Sequence, residues 1–567
     1  MERLPANIYS VAAVREIDRT TIEDHGVPGY TLMTRAGEAA VAAALTRFPS
    51  ARRWQVLCGA GNNGGDGYVV ARLAMAHGIT VSVLSLVDPD RLSGDAATAH
   101  GDFVAEGGVV GPWEGQLDPG ATLLVDAILG SGLERDVGGE FASAVDAIND
   151  HAAAVLALDI PTGIHGDTGA VLGCAVRADL TVTFVGLKSG LFLGEAPDYR
   201  GALEFSDLQI PETCRDGIDP AMRRIDERLL AGALAKRQRT GHKGDYGHVL
   251  IIGGGEGMPG AVRLAGEAAL RSGAGLVSVA THPSHAAMLV ASRPELMPHG
   301  IEGPEDLEAL LERADVVAFG PGLGRSAWAQ ALFQAVRGLS LPTVWDADAL
   351  NWLAEQPDRA SLRVLTPHPG EASRLLGTSV KEVQADRPAA LSALEETYGG
   401  TIVLKGAGTL VSTGGLPLLC TAGNPGMGSA GMGDVLTGVI AALIGQGLDP
   451  GEGAGIGLAV EAAEEVADLV GVVEPAGEGH RLRRVAVRVG DHDADGVGRV
   501  VAVQHARRAG RGVRRRAARG RRHGHGGAGR RARRRRRPGR IDPGRSRPRR
   551  RPRRAGGYGR DCQIGYR

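Results

Sequence analysis

The sequence predicts an α/β protein of two three-layer α/β/α domains with a disordered Arg-rich tail. Three observations carry this. At 567 residues the chain exceeds what one hydrophobic core organises, and roughly 150 residues per domain implies two substantial domains with residues to spare. Short, nearly continuous apolar runs alternate with amphipathic helical stretches in two successive series, the pattern of parallel strands buried on both faces. Finally, the charge changes character near residue 480. Residues 481–567 hold 31 Arg, no Lys and 5 Asp, net +26, whereas the first 480 hold 33 basic and 60 acidic groups, net −27.

In the first series, WQVLCG (54–59), TVSVLSL (80–86), TLLVDAIL (122–129), AVLALDI (154–160) and LTVTFVGLK (180–188) read as strands, with a helix from Gly67 to His77 among those between them. Residues 212–242 form a linker region in which RIDERLLAGAL offers one helix. The second series runs through HVLIIGG (248–254), LVSVATH (276–282), DVVAFGPG (315–322), TVWDADAL (343–350), RVLTPH (363–368) and TIVLKGAG (401–408), and DVLTGVIAALIGQG (434–447) closes it as a helix. After about Pro450 the pattern fades, although GLAVEAAEEVADLV (457–470) suits one acidic helix. Beyond His480 no apolar periodicity remains from which to build a core. Arg without Lys, among Gly, Ala and Pro, is what a GC-rich gene read out of frame encodes. We therefore expect residues 481–567 to be neither folded nor functional, and the RNA-binding reading that rests on them falls away.

Composition excludes other classes. No apolar run approaches the roughly 20 residues that cross a bilayer, and MERLPANIYS is not a signal peptide. Cys58, Cys174, Cys214, Cys420 and Cys562 are scattered without a CxxC pair, so neither a disulfide framework nor a zinc site is expected. A cytoplasmic protein is the expectation.

Strand 54–59 runs into GAGNNGGDGY (59–68) and then a helix, the context in which backbone N–H groups face an anion. A tight turn explains the glycines but not Asn62, Asn63 and Asp66. Two further strands end in polar groups, VDAILGSGLERD (125–136) and LDIPTGIHGD (158–167). Asp126, Asp159 and Thr162 should therefore meet Asn63 at one sheet edge, as oxygen ligands for a cation or partners of a ribose and phosphate. Each Asp alone is more often a helix cap; three such loops in one domain shift the balance.

Together these motifs resemble the NAD(P)H-hydrate epimerase domain of the bifunctional NAD(P)H-hydrate repair enzymes, over about residues 6–211, and the resemblance implies a Rossmann-like fold. It further implies that Asn62, Asn63, Gly64, Gly65, Asp66, then Gly130, Ser131, Gly132, Leu133, Glu134, Arg135, Asp136, and Asp159 contact the hydrated nucleotide. Asn63, Asp126 and Thr162 would bind K+; Thr162 stands where the family commonly has Ser and keeps the hydroxyl. Asp126 is the best acid/base candidate, a role the sequence does not separate from K+ ligation.

In the second series, GNPGMGSAGMGDVLTG (423–438) sets small residues before Asp434 and an apolar helix after it, an anion hole beside a candidate base. Lys405 ends a strand and enters a glycine turn in VLKGAGTLV (403–411), suited to nucleotide phosphates. In LTPHPGEASRLLG (365–377), His368 stands at a strand end between two prolines. With HKGDYGHVLIIGG (242–254), GPGLG (320–324) and VWDADALN (344–351), these tracts resemble the ADP/ATP-dependent NAD(P)H-hydrate dehydratase domain, of ribokinase-like fold. The match spans about residues 225–450, in a domain set at 225–470. By that resemblance Ala261, Gly322, His368 and Asp434 contact the hydrate, while Lys405, Gly406, Ala407, Gly408, Thr409 and Gly433 hold the adenine nucleotide. GSAG (428–431) departs from a family run closer to ASGG, and the family's closing helices are not recognisable after about Pro450.

The expected activity is repair of hydrated NADH and NADPH: interconversion of the R and S epimers, then nucleotide-dependent dehydration of the S epimer, with Asp126 and Asp434 as catalytic residues. K+ is expected in the first domain, and ADP or ATP with Mg2+ in the second. The expected partners are the two hydrates and further copies of the chain, with no specific nucleic acid and no membrane. The rival reading is a ribokinase-like small-molecule kinase with a non-catalytic nucleotide-binding N-terminal module; a stable phosphoester product would favour it.

Overall fold

The computed structural model describes residues 4–233 and 237–461. The arginine-rich segment 481–567 lies outside the described residues. Nineteen strands occur among the described residues. In chain order they are β1 Asn7–Tyr9, β2 Arg53–Cys58, β3 Thr80–Ser85, β4 Val110–Pro112, β5 Leu123–Ala127, β6 Ala154–Leu158, β7 Leu180–Phe184, β8 Leu187–Lys188, β9 Ala202–Ser206 and β10 Met222–Arg224. The second half adds β11 His248–Ile252, β12 Leu276–Thr281, β13 Met297–Gly300, β14 Val316–Phe319, β15 Thr343–Trp345, β16 Arg363–Leu365, β17 Thr401–Leu404, β18 Thr409–Val411 and β19 Leu418–Cys420.

Seven strands form a parallel sheet in the order β4-β3-β2-β5-β6-β7-β9. Side chains alternate across it as a strand's two-residue period requires. Trp54, Val56 and Cys58 of β2 pack with the helices Gly29–Arg47 and Asn62–Ala76 on one face. Leu57 and Leu124 pack with the helix Gly139–Asp150 on the other. The second sheet repeats the device. Val249 and Ile251 of β11 meet the helices Pro259–Arg271, Met432–Gly445 and Pro450–Glu461, while Leu250 and Ile252 meet those around Leu332, Leu353, Leu375 and Leu394. Both halves are the expected three-layer α/β/α sandwiches.

The second sheet does not stop at its own half. Its order, β13-β12-β11-β14-β15-β16-β17-β18-β19-β10-β1-β8, brings in three short strands from residues before 225. Strand β10, inside the expected linker region 212–242, pairs with β1 on one side and β19 on the other, and β1 pairs with β8. One apolar cluster runs through this junction, from Ile8, Leu187 and Phe192 to Phe319, Trp345 and Leu404. Two expectations change here. The strand read over 180–188 breaks into β7 and β8 where Val185 takes φ +65°, and 343–350 turns from strand to helix at Ala347, φ +51°.

Ile8 is fully buried in the shared cluster, so Ile8→Ala should cost about 2–5 kcal/mol, the range for a large-to-small core change. Urea unfolding checks this, and a cost near zero would show that β1 does not belong to the core.

Candidate active sites

The loops that follow β2, β5 and β6, neighbours in the sheet, converge on a cavity of about 1150 Å³. Its wall holds Asn62, Asn63 and Asp66 from the first loop, all of Gly130 to Asp136 from the second and Asp159 from the third, as the sequence predicts. Gly64 and Gly65 are not in it. The helix starts at Asn62 rather than Gly67, so these two glycines lie in its first turn, where a Cβ would collide with the Gly59 carbonyl and with the Met33 side chain.

At the inner end, Lys188 is only 2% exposed and is ion-paired to Asp159. It also donates to the Thr183 hydroxyl at 3.2 Å and to the Phe184 carbonyl at 2.8 Å. Burial works to raise the Asp159 pKa, but the Lys188 charge and hydrogen bond, with a further bond from the Ser131 amide, hold it below the usual carboxylate value. Asp18 and Asp66 share the cavity without such support. Burial, reinforced by the Asp159 charge and opposed by Lys188, pushes Asp18 up to about 6 and Asp66 well above its ordinary value. One site thus holds an ionised carboxylate with its cation beside two carboxyls whose pKa values are pushed up, an arrangement made for proton transfer.

Asp126 is placed otherwise than the acid/base expectation requires. It is 0% exposed and outside the cavity wall. One oxygen accepts from the Thr162 amide at 2.8 Å, the other from the Thr162 hydroxyl at 2.7 Å and the Ile128 amide at 3.2 Å. Burial, against those bonds, raises it to about 6. Sealed from the cavity, Asp126 suits a ligand role. Beside the cavity loop, both amide atoms of Asn63 are buried with no hydrogen-bond partner among the described residues. An orphaned carbonyl oxygen, a carboxylate and a hydroxyl on three adjacent strand ends fit a hard monovalent cation.

The second constellation lies at the ends of β15, β16 and β17. Lys405 Nζ donates to Asp346 Oδ1 at 2.8 Å and lies 3.9 Å from Glu371 Oε2; Thr437 Oγ1 donates to Asp346 Oδ2 at 3.1 Å. Burial would raise Asp346, but Lys405 holds it low. Burial pushes Glu371 up to about 7 and Glu461 up to about 8. Asp434, in the first turn of the helix Met432–Gly445, is raised to about 6 by burial and by the Asp346 charge. Gly433 sits against this cluster, with its Cβ position 3.0 Å from Asp346 Oδ2 and 3.1 Å from Lys405 Nζ. Gly431 opens the helix at φ +96°, so the altered GSAG run still supplies a glycine where the left-handed turn demands one.

His368 caps the helix Pro369–Leu376, Nδ1 accepting from the Gly370 and Glu371 amides. Burial and Lys405 lower its pKa. Ala261 and Gly322 adjoin each other, with the Gly322 Cβ position 3.0 Å from the Ala261 Cβ. The turn 405–409 is closed by Thr409 Oγ1 donating to the Gly406 carbonyl at 2.8 Å. Buried Arg387 braces it through the carbonyls of Leu404, Lys405 and Gly408.

Sequence reasoning missed Lys188, Asp18, Asp346, Glu371, Thr437 and Arg387. For Lys188 the signal was present: a lysine ending an apolar strand needs an anionic partner if it is buried.

Comparison with known proteins agrees with the two-part layout. Residues 29–190 match the family described as YjeF-related protein N-terminus, and residues 249–473 the family described as NAD(P)H-hydrate dehydratase. The second match continues past Pro450, and the helix Pro450–Glu461 forms there, so the expected loss of the closing helices begins too early in our reading. The chain is 46% identical over 464 residues, 81% of this chain and 95% of the other, to the bifunctional NAD(P)H-hydrate repair enzyme Nnr of Coxiella burnetii. It is 44% identical over 465 residues, 81% and 89%, to that of Escherichia coli. Among solved structures, an ADP/ATP-dependent NAD(P)H-hydrate dehydratase from Bacillus subtilis, co-crystallised with ATP/Mg2+, aligns at TM-score 0.40 and 30% identity, covering 43% of this chain and 95% of that one.

Lys405→Met would leave Asp346 buried without its cation. The expected loss is about 3–5 kcal/mol at pH 7. In the wild type the pair lowers the Asp346 pKa, so its stabilisation is complete above the unfolded value near 3.9 and fades only below it; in the variant burial alone raises Asp346, which takes up a proton as pH falls, so the variant's deficit should shrink from pH 7 to pH 4. A pH-independent deficit below about 1 kcal/mol in urea unfolding, the behaviour of a surface pair, would contradict this.

Proposed function

The chain belongs to the bifunctional NAD(P)H-hydrate repair enzymes, and from that premise we propose that its two sites divide one repair between them. The N-terminal site interconverts the R and S hydrates of NADH and NADPH, and the C-terminal site dehydrates the S epimer at the expense of ADP or ATP. The observation that carries this reading is that each half sets a lysine–aspartate ion pair, one partner of it buried, beside carboxyls of raised pKa at strand ends.

The hydrated ring carbon bears a hydroxyl and the ring nitrogen. Inverting it means breaking one of those bonds and remaking it on the other face, which needs a proton acceptor and a donor close together. Asp159, kept ionised by Lys188, is the acceptor; Asp18 and Asp66 are the donors. Asp126 takes a ligand role with Asn63 and Thr162, which would hold K+. When bound, that ion supplies positive charge next to a buried carboxylate.

In the C-terminal site, Asp434 accepts the hydroxyl proton of the hydrate as its oxygen bonds to the terminal phosphorus of the nucleotide and the bond to the leaving nucleotide breaks. Phosphate then leaves with the C–O electron pair. The adjacent ring carbon gives up a proton, and the double bond is restored. Unpaired N–H groups in the first turn of the helix Met432–Gly445 face the developing charge. Mg2+ would find hard oxygen ligands in Asp346 and Glu371 and supplies charge neutralisation on the phosphates. Lys405, bound to Asp346, positions that carboxylate.

Two predictions follow from this division. With purified epimers, Asp434→Asn should slow dehydration by a factor of about 10² to 10⁴ while epimerisation continues, and Asp159→Asn should do the converse. The dehydration rate should rise through about pH 6 as Asp434 loses its proton. Loss of both activities in either variant, or of neither, would contradict two separate sites. Separately, K+ should raise the thermal midpoint of the wild type above that in choline chloride of equal ionic strength, and Asp126→Asn should abolish the difference; an equal shift in both proteins would remove the ion from this site.

A further inference from the structure

The N-terminal cavity is electrostatically unfavourable for the substrate we assign to it. Six carboxyl groups line it against three cations, Arg15, Arg135 and Lys188. A dinucleotide brings a pyrophosphate, and the NADPH form a further 2′-phosphate, so its anionic part can rest only where a cation is free to receive it. Lys188 is not free, since it is buried against Asp159, Thr183 and Phe184. Arg135 belongs to the loop already assigned to the substrate. Arg15 comes from the helix Val11–Arg19, upstream of the matched residues 29–190, and has had no role assigned to it so far.

Its position is fixed by the fold. The helix Val11–Arg19 is capped by Ser10, tied through the Val11 amide to Asp167 Oδ1 at 2.7 Å, and anchored in the core by Val14 and Ile17. Asp18, three residues on, shares a helix face with Arg15, and both line the cavity. Arg15 Nη2 lies 2.6 Å from the Cβ position of Gly132, so the guanidinium rests against the glycine loop in space that any side chain at 132 would take. Among the described residues Arg15 has no ion pair, and the backbone N–H groups of Gly132, Leu133 and Glu134 have no hydrogen-bond acceptor. A forked cation over a row of unpaired amides matches the geometry of a phosphate.

We propose that Arg15 holds a phosphate of the dinucleotide against the 132–134 amides and so directs the nicotinamide end toward Lys188 and Asp159. The inference rests on the reading of this cavity as the epimerase site. It assigns to the first helix a binding function as well as a packing one.

The test measures epimerisation of NADH hydrate and NADPH hydrate by the full chain and by Arg15→Gln and Arg15→Lys. In Arg15→Gln the KM should rise tenfold or more with kcat within about twofold, Arg15→Lys should recover part of the loss, and dehydration in the same preparations should be unchanged, which controls for folding. An equal rise for both hydrates places the pyrophosphate at Arg15, and a rise confined to the NADPH hydrate places the 2′-phosphate there. An unchanged KM in Arg15→Gln overturns the inference and leaves the epimerase reading intact. If the wild type does not epimerise, that reading fails instead. Calorimetric titration with ADP-ribose then decides the anion site: a binding component that Arg15→Gln removes upholds it, and identical isotherms overturn it.

Discussion

A lysine–carboxylate ion pair with one partner buried, set at the ends of strands, is the interaction on which both sites depend. Lys188 with Asp159 and Lys405 with Asp346 are the same device, built once in each half. Such pairs add little net stability, because desolvating two charges offsets most of their attraction, but removing one partner strands a charge at a cost of about 3–5 kcal/mol. Their value here is electrostatic. Each pair keeps one carboxylate ionised in surroundings that raise the pKa of its neighbours, Asp18 and Asp66 in one site, Glu371 and Asp434 in the other. Backbone strain marks both positions. Asp159 itself has φ +66°, and Ala347, next to Asp346, φ +51°; such conformations cost about 1–3 kcal/mol and persist where the surroundings fix them.

The two devices share a sheet. Lys188 ends β8, the last strand of the twelve-stranded sheet, and Lys405 sits in the turn between β17 and β18 of the same sheet. Gly408, in that turn, meets the Phe192 carbonyl so closely that no side chain fits between them. The halves are therefore joined by backbone pairing and a common apolar cluster. In such an arrangement loss of β1 or β10 should disturb the lysine of one site and the turn of the other.

The long, apolar strands were legible in the sequence because burial on both faces leaves continuous hydrophobic runs, and β2, β5, β6, β11 and β12 fall where those runs lie. Strands β1 and β10, three residues each, were not, since NIY and MRR carry no periodicity and exist through their pairing partners. The glycine run at 61–67 looked like a turn and is the opening of a helix, because the glycines serve close packing against Gly59 and Met33. Among site residues, the loops 62–66 and 130–136 were legible from polar groups at strand ends. Asp126 was legible as important but not as sealed, because exposure depends on Thr162 folding over it. Asp18 reads as one more acidic position on an amphipathic helix until the cavity is seen beneath it.

The central claim is that one chain carries two complementary activities on one substrate. The most direct test starts from a single purified epimer, the R hydrate of NADH, with the wild-type protein. Without nucleotide, chromatography should show the R form relaxing to a mixture with S faster than in an enzyme-free control and with no loss of total hydrate. On adding ADP or ATP, both forms should disappear together as reduced-nicotinamide absorbance and inorganic phosphate appear in equal amounts. A stable phosphorylated hydrate, or an R epimer that persists while S is consumed, would contradict the account.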